Sequence, residues 1–378
     1  RGGWKVYVGG PLFIGEHIQD LYSAQGRQKF DHQFMGGVFN QPFSVVPCPV
    51  KQVPTQKEIE KSLGRHLDGH RIGFDLGASD LKVSAVIDGE AIFSTEIEWQ
   101  PRDKTDPHYH HQKIQAALDM AKSKMPTLDA IGGSSAGVYV NNRPMIASLY
   151  RGIPKDKFDQ IHNMFLNIRD EMGVPLEIVN DGEVTALAGS MSLDDNSVLG
   201  IAMGSSEAAG YVTAEGNITD WLNELAFAPV DYNPAAPFDE WSGDKGVGAL
   251  YFSQQCVFRL APRVRIDIPQ GVTDAQKLKS VQEKLEAGDE GARQIWETMG
   301  VYLGYTIAHY ADFYDIKHVL ILGRCTSGKG GPLMLDGANR VLASEFPDLA
   351  QQINLQLPDE KSRRVGQSIA AASLPELG

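Results

Sequence analysis

Cysteine is scarce: Cys48, Cys256 and Cys325 stand far apart in 378 residues and form no C-x-x-C pair. That excludes a disulfide framework and a cysteine zinc site, and it fits a reducing compartment. No apolar run approaches the length that crosses a bilayer, and the opening RGGWKVYVGG has no signal-peptide segment. A cytoplasmic location without a membrane partner is therefore expected. Basic charge is in deficit, with 35 Lys and Arg against 48 Asp and Glu and a formal net charge of −13. Such a surface repels polyanions, so nucleic acid is not expected as a partner.

The rest of the composition, 42% hydrophobic and 22% charged, is that of a packed globular protein, and two domains are the prior at this length. Residues 1–70 are rich in Gly, Gln and aromatics. Their one helical signal is Pro54-Thr55 before QKEIEKSLGRHLDG, with Thr55 as cap and Glu58 three residues on. From Arg71 the texture changes. Alternation at 72, 74 and 76, then 81, 83 and 85, then 91, 93, 95 and 97 predicts three successive antiparallel strands, with turns at DLGASD and DGE. A helix follows at about 111–124, then a strand into the Gly/Ser loop LDAIGGSSAG, then helix and strand alternation over 155–189. The strand SVLGIAMG opens at 197, a Pro-, Asp- and Gly-rich loop covers 229–246, and helical spacing runs over 272–314. The strand HVLIL, a helix around 333–345 and a last helix over about 363–374 complete the order. Strand-strand-strand-helix-strand-helix recurs from about 197, which suggests two related α/β halves.

HVLILGRCTSGKGG, residues 318–331, comes close to a phosphate-binding P-loop, but Gly330 stands where that loop needs Ser or Thr for Mg²⁺. Four other readings carry more. Asp75-Leu76-Gly77-Ala78-Ser79-Asp80-Leu81-Lys82 places a carboxylate at a strand end before a Gly turn, a ligand for Mg²⁺-bound water with donors for phosphate. In Glu177-Ile178-Val179-Asn180-Asp181-Gly182, Asp181 ends a strand, where an open α/β sheet holds its ligands, and it can take a proton from an attacking hydroxyl. Gly204-Ser205-Ser206 is a small-residue turn that lets backbone approach phosphates, and Gly323, Ser327 and Gly328 form a turn able to hold adenosine. The first two have plain structural alternatives: a hairpin turn and a helix-capping Asp.

In this order the four stretches resemble the sugar-kinase branch of the actin-like ATPase superfamily, most closely the ROK family of repressors and sugar kinases, over about residues 71–375. The resemblance implies a two-lobed α/β fold of ribonuclease H-like type with duplicated mixed-sheet domains. It divides the chain into an extension over 1–70, a small domain over 71–190 completed by a C-terminal helix at 362–378, and a large domain over 191–361. The implied activity is ATP-dependent phosphorylation of a sugar or sugar-like polyol, with ATP and Mg²⁺ as cofactors. Asp75 is the implied metal ligand. Asp75, Gly77, Ser79, Lys82, Gly204 and Ser205 would face phosphates, and Gly323, Ser327 and Gly328 the adenosine. Asn180, Glu224, Ser134 and Ser135 would bind the acceptor, and Asp181 would be the catalytic base.

The departures are specific. The family's Gly-Glu-x-Gly-His reads Asn223-Glu224-Leu225-Ala226-Phe227 here, and its zinc loop with the trailing glutamate is replaced by Trp241-Ser242-Gly243-Asp244-Lys245-Gly246-Val247-Gly248. No zinc is expected, because no thiolates remain. Ser206 and Ala208 stand where glycines are usual, and Glu207 adds charge to the phosphate turn. A non-catalytic sugar sensor on the same fold is therefore the alternative. Family regulators carry an N-terminal winged helix, which residues 1–70 do not resemble. Two roles stay open for that segment, covering the substrate cleft and forming a homodimer. Asp106-Pro107-His108-Tyr109-His110-His111 reads as a solvated turn, the aromatics of 302–314 as core or interface, and Lys329 as either a turn residue or a phosphate contact.

Overall fold

The alternation after Arg71 folds into strands His70–Leu76, Asp80–Ile87 and Glu90–Glu98, paired antiparallel in sequence. On the other side of His70–Leu76 lie Ala130–Ser135 and then Leu176–Asn180, both parallel to it. Three parallel strands thus end on the same sheet edge, and all three carry the residues singled out above. A computed structural model describes residues 2–55, 60–78, 80–219, 221–358 and 366–377. Ser79, part of the expected phosphate turn, Glu58 and the start of the expected last helix, residues 363–365, lie outside them.

The chain divides into two units, the first comprising Arg1–Asp181, Thr219–Leu222 and Gln367–Gly378, the second Gly182–Ile218 and Asn223–Gly366. In the first, successive side chains of a strand point to opposite faces, so Ile72, Phe74 and Leu76 enter one core layer with Ile114, Leu118 and Phe165. The helix Pro107–Lys122 supplies that layer; Asp106 caps it by accepting from His108 N at 3.1 Å, with Pro107 at its first position.

The opposite face of the sheet carries glycine, and the helix Gln367–Ala372 lies directly on it. A Cβ on Gly73 would sit 1.8 Å from the Ser368 carbonyl oxygen, and one on Gly132 would sit 1.6 Å from that of Ala371. Arg71, fully buried on this face, closes the contact: Nη1 donates to Pro375 O at 2.7 Å, Nε to Asp68 O at 2.7 Å and Nη2 to Asp68 Oδ1 at 3.0 Å. The same segment explains why the helical signal after Pro54 fails. Among residues 60–69, Glu60–Lys61 is strand and the rest is irregular, because Gly64 N and His66 N donate to Leu374 O and Ser373 O, with Gly64 and Arg65 at positive φ. Tertiary partners outcompete helix propensity there.

Residues 5–48 form a small α/β element, strands Lys5–Gly9 and Ser44–Cys48 in parallel around helices Leu12–Leu21 and Lys29–Phe39. Helix Lys29–Phe39 packs on strand Arg143–Ile146.

The second unit repeats the arrangement of the first. Val198–Met203 and Glu207–Val212 form an antiparallel hairpin, and Val198–Met203 runs parallel to His318–Leu322, which runs parallel to Asn354–Gln356. Helices Asp274–Glu286, Glu290–Tyr310 and Gly330–Glu345 follow the expected helical stretches, the first with a Thr273–Gln276 capping box. Among the described residues no helix is long and apolar enough to cross a membrane.

Candidate functional site

In the first unit, strand register sets the site. Asp75 is level with Ser134 and Val179, and Leu76 with Ser135 and Asn180. At about 4.8 Å between neighbouring strands, Asp75 and Asn180 stand roughly 10 Å apart along one edge. Ser134 Oγ donates to Asp75 Oδ1 at 2.7 Å. Burial raises the Asp75 pKa and Asp80 adds to the rise; the Ser134 hydrogen bond and the charge of Lys82, which pairs with Asp75 across the hairpin, oppose it. Asn180 Nδ2 donates to Gly137 O at 2.7 Å, and Ser135 and Tyr139 share a hydroxyl contact of 2.6 Å. Burial, with the nearby Asp181 charge as a smaller cause, keeps the Tyr139 phenol protonated. Asp181 opens the helix Asp181–Leu193 immediately after its strand. One edge therefore gathers Asp75, Lys82, Ser134, Ser135, Asn180 and Asp181.

The turn beyond Asp75 is held from outside. Gly77 N donates to Asp80 O at 2.9 Å, and Trp99 Nε1 donates to Gly77 O at 2.9 Å. A cavity of about 440 Å³ opens beside it, lined by Ala78, Asp80, Trp99, Arg102 and Arg151 among others. The neighbouring histidines diverge. His110 is buried, with Nε2 at 3.0 Å from Pro101 O, whereas His111 Nε2 meets Glu171 Oε2 at 3.1 Å. The stretch is thus the first turn of a helix, with one histidine in the core, and not the solvated turn expected.

In the second unit, Gly204 N donates to Ser206 O and Gly204 O accepts from Gln254 N, both at 3.0 Å, while Ser205 is exposed. The turn after His318–Leu322 comes against the same strand end: Gly323 has φ 99°, and a Cβ there would lie 2.5 Å from Met203 O. No other residue fits. Gly328, at φ 60°, faces Glu286 Oε1, to which Lys329 N also donates at 2.8 Å; Lys329 Nζ donates to Glu286 O at 2.8 Å. Lys329 is thereby tied to helix Asp274–Glu286 and resolves as a turn residue. A cavity of about 400 Å³ adjoins this turn, lined by Leu285, Arg293, Lys329, Leu333 and Asp336 among others.

Glu224 precedes the short helix Leu225–Phe227, and buried Asn223 accepts from Tyr314 Oη at 3.1 Å. Beside them lies a residue whose burial the sequence reading missed. Glu207 is 5% exposed, and neither carboxylate oxygen has a hydrogen-bond partner. Burial first, and Glu224 second, push its pKa up to about 8 from the usual 4.5. Position 207 begins the inward alternation of its strand, and that was the available signal.

A pH effect with a definite sign follows. Below about pH 4.5 Glu207 is protonated folded or unfolded; between about 4.5 and 8 only the folded state keeps the proton, so stability falls as pH rises. The slope is about 1.4 kcal/mol per pH unit, and the full loss is on the order of 5 kcal/mol. Glu207→Gln is expected to match wild type in thermal unfolding at pH 4.5 and to exceed it increasingly up to pH 8. A constant difference across that range rules out the buried acid.

Among the described residues no three His, Cys, Asp or Glu side chains converge as a metal cluster. All three cysteines are buried, and burial pushes the Cys256 and Cys325 thiols up to about 12.

No protein-family model and no curated protein matches the sequence. Solved structures do match. A ROK hexokinase from Thermus thermophilus aligns with TM-score 0.61 and 16% identity over 80% of this chain and 96% of that chain. A ROK family glucokinase from Streptomyces griseus, in complex with glucose and AMPPNP, aligns with TM-score 0.60 and 17% identity over 80% and 98%. A ROK family transcriptional regulator, a homologue of the E. coli MLC protein, aligns with TM-score 0.60 and 17% identity over 82% and 78%. The chain thus has the ROK-like sugar-kinase fold, a duplicated mixed α/β arrangement that kinases and regulators share.

Proposed function

We propose that this chain transfers the terminal phosphoryl group of ATP to a hydroxyl of a sugar or sugar-like polyol. The observation that carries the reading is the common sheet edge on which Asp75, Ser134, Ser135, Asn180 and Asp181 stand at the ends of adjacent parallel strands. That is where an open α/β sheet presents groups to a ligand. Asn180, Ser134 and Ser135 offer neutral hydrogen-bonding groups suited to sugar hydroxyls, and Glu224 adds an acceptor of hydroxyl protons. Asp181 takes the proton of the attacking hydroxyl as its oxygen bonds to phosphorus and the bond to the ADP oxygen breaks.

The Asp75 carboxylate is a hard oxygen donor, steadied by the Ser134 hydroxyl, and it fits Mg²⁺, an ion usually held by one or two carboxylates, water and phosphate. Bound there, Mg²⁺ would offset phosphate charge. Lys82 adds a positive charge beside Asp75; the amides of Gly77 and Gly204 are used inside their own turns, and it is the exposed Ser205 that is assigned to phosphate oxygens. Gly323, Ser327 and Gly328, in the turn whose Lys329 lines the cavity of about 400 Å³, are assigned to adenosine. A cytoplasmic site of action accords with this chemistry and with three free cysteines.

The direct test measures ADP release from Mg-ATP against a panel of sugars and polyols. At least one acceptor should raise turnover tenfold or more above the basal rate; no stimulation by any of them sinks the reading. The second reading, a sugar sensor without catalysis, draws on the phosphate turn, where Ser206 and Ala208 flank the buried Glu207. Calorimetry separates the two, since a sensor binds sugar and not Mg-ATP.

A further inference from the structure

The loop 229–246 holds three large aromatic side chains in the open: Tyr232 is 74% exposed, Phe238 62% and Trp241 61%. Its backbone is nevertheless well tied. Val230 N and Asp231 N both donate to Gly246 O, at 2.8 and 3.0 Å, and Gly246 N donates to Pro237 O at 2.9 Å. Gly246 has φ 64°, and a Cβ there would lie 2.0 Å from Asp231 O. The Asp239 carboxylate accepts from Trp241 N at 3.1 Å and Ser242 N at 2.7 Å, and Lys245 Nζ donates to Pro234 O at 2.7 Å. Trp241 is therefore presented from a fixed backbone, with little further ordering to lose on binding.

Its position links it to the assigned acceptor ligand. Trp241 meets Phe227 with ring centroids 5.2 Å apart and planes at 66°, and Phe227 ends the short helix that Glu224 precedes. The two rings form a corner three residues from Glu224. Phe238 is engaged otherwise, with the Lys245 ammonium 4.8 Å over its ring. An exposed indole beside a site for a hydroxylated ligand suits one kind of neighbour well, a pyranose ring. The C–H groups on a sugar's flat side carry slight positive charge and meet the negative face of an aromatic ring, while its hydroxyls stay in water.

We propose that Trp241, backed by Phe227, is a stacking platform for a second sugar ring, so that the acceptor is a disaccharide or glycoside. The inference rests on Glu224 being an acceptor ligand. It assigns a use to the segment that stands in place of a metal-bound loop, and it extends the acceptor beyond a single ring.

Calorimetry on the full chain tests it, with maltose, cellobiose, sucrose and N,N′-diacetylchitobiose against their component monosaccharides, for wild type, Trp241→Ala and Trp241→Phe. The expected result is one disaccharide bound about tenfold more tightly than its monosaccharides, the scale of one aromatic contact. Trp241→Ala should remove that advantage and Trp241→Phe should keep part of it, with monosaccharide affinity unchanged in both. Monosaccharide binding without a disaccharide advantage, or an advantage that survives Trp241→Ala, overturns the platform alone. A change of oligomeric state in Trp241→Ala with sugar affinities intact also overturns it and assigns the aromatics to a protein contact. No binding of any sugar overturns the acceptor reading and the platform with it.

Discussion

Asp181→Asn is expected to lower kcat for acceptor phosphorylation by about 10²–10⁴-fold while leaving acceptor KM within a few-fold. Asparagine keeps the shape of the side chain and can still open the helix Asp181–Leu193, but it cannot take a proton. Loss in kcat with binding retained marks an interaction made mainly in the transition state. Steady-state kinetics on the best acceptor gives the split, and Asn180→Ala is the contrasting variant. There the lost group binds the acceptor and also holds Gly137, so KM should rise as well. Full activity in Asp181→Asn would remove the base assignment, whatever the fold.

The second large effect concerns stability. Gly132→Val is expected to destabilise the first unit by more than about 4 kcal/mol, the range reserved for severe core disruption. A Cβ at that position meets three backbone atoms, Ala371 O at 1.6 Å, Ala371 C at 2.5 Å and Ala372 N at 3.1 Å, and backbone cannot swing aside as a flexible side chain does. The helix Gln367–Ala372 would have to lift, exposing Ala370, Ala371, Ala372 and Leu374, all at 0% exposure, and stripping Arg71 of its bond to Pro375. Arg71 would keep Asp68 O and Oδ1, so the loss of this one backbone acceptor adds about 1–3 kcal/mol to the cost of lifting the helix. Thermal unfolding and limited proteolysis of the 367–377 segment report the result. Gly3→Ala, with nothing within 4 Å of the added carbon, serves as the neutral control, and a Gly132→Val protein as stable as that control would refute the contact.

Which features could be read from the sequence depended on whether the physics was local. The hairpin of His70–Leu76 and Asp80–Ile87, its repetition in the second unit and the helices after 272 show in alternation and 3.6-residue spacing, because burial of one face imposes that pattern directly. Asp75, Asn180 and Asp181 stood out because each ends a strand before a turn or a helix. Features set by distant partners stayed hidden. The segment 62–69 carries helix formers, yet its amides pair with residues near 374. The α/β element over residues 5–48 stayed opaque because its two strands are short and parallel, and their pairing is separated by two helices. Glu207 presents a charge in the sequence; its inward place in the strand hints at burial, and the packing around it establishes a buried acid. Lys329 kept two readings until Glu286, which is 43 residues away in the chain, was seen to hold it.

The bond from Arg71 to the carbonyl of Pro375 spans 304 residues, so it bears on how the protein is made. A ribosome adding roughly 5–20 residues per second leaves the glycine face of the first sheet bare for about 15–60 s before its cover has been synthesised. By then Gly182–Ile218 and Asn223–Gly366 have both emerged, so that Val198–Met203 can pair with His318–Leu322, while the earlier half is still an unfinished surface open to chaperones or to misassembly.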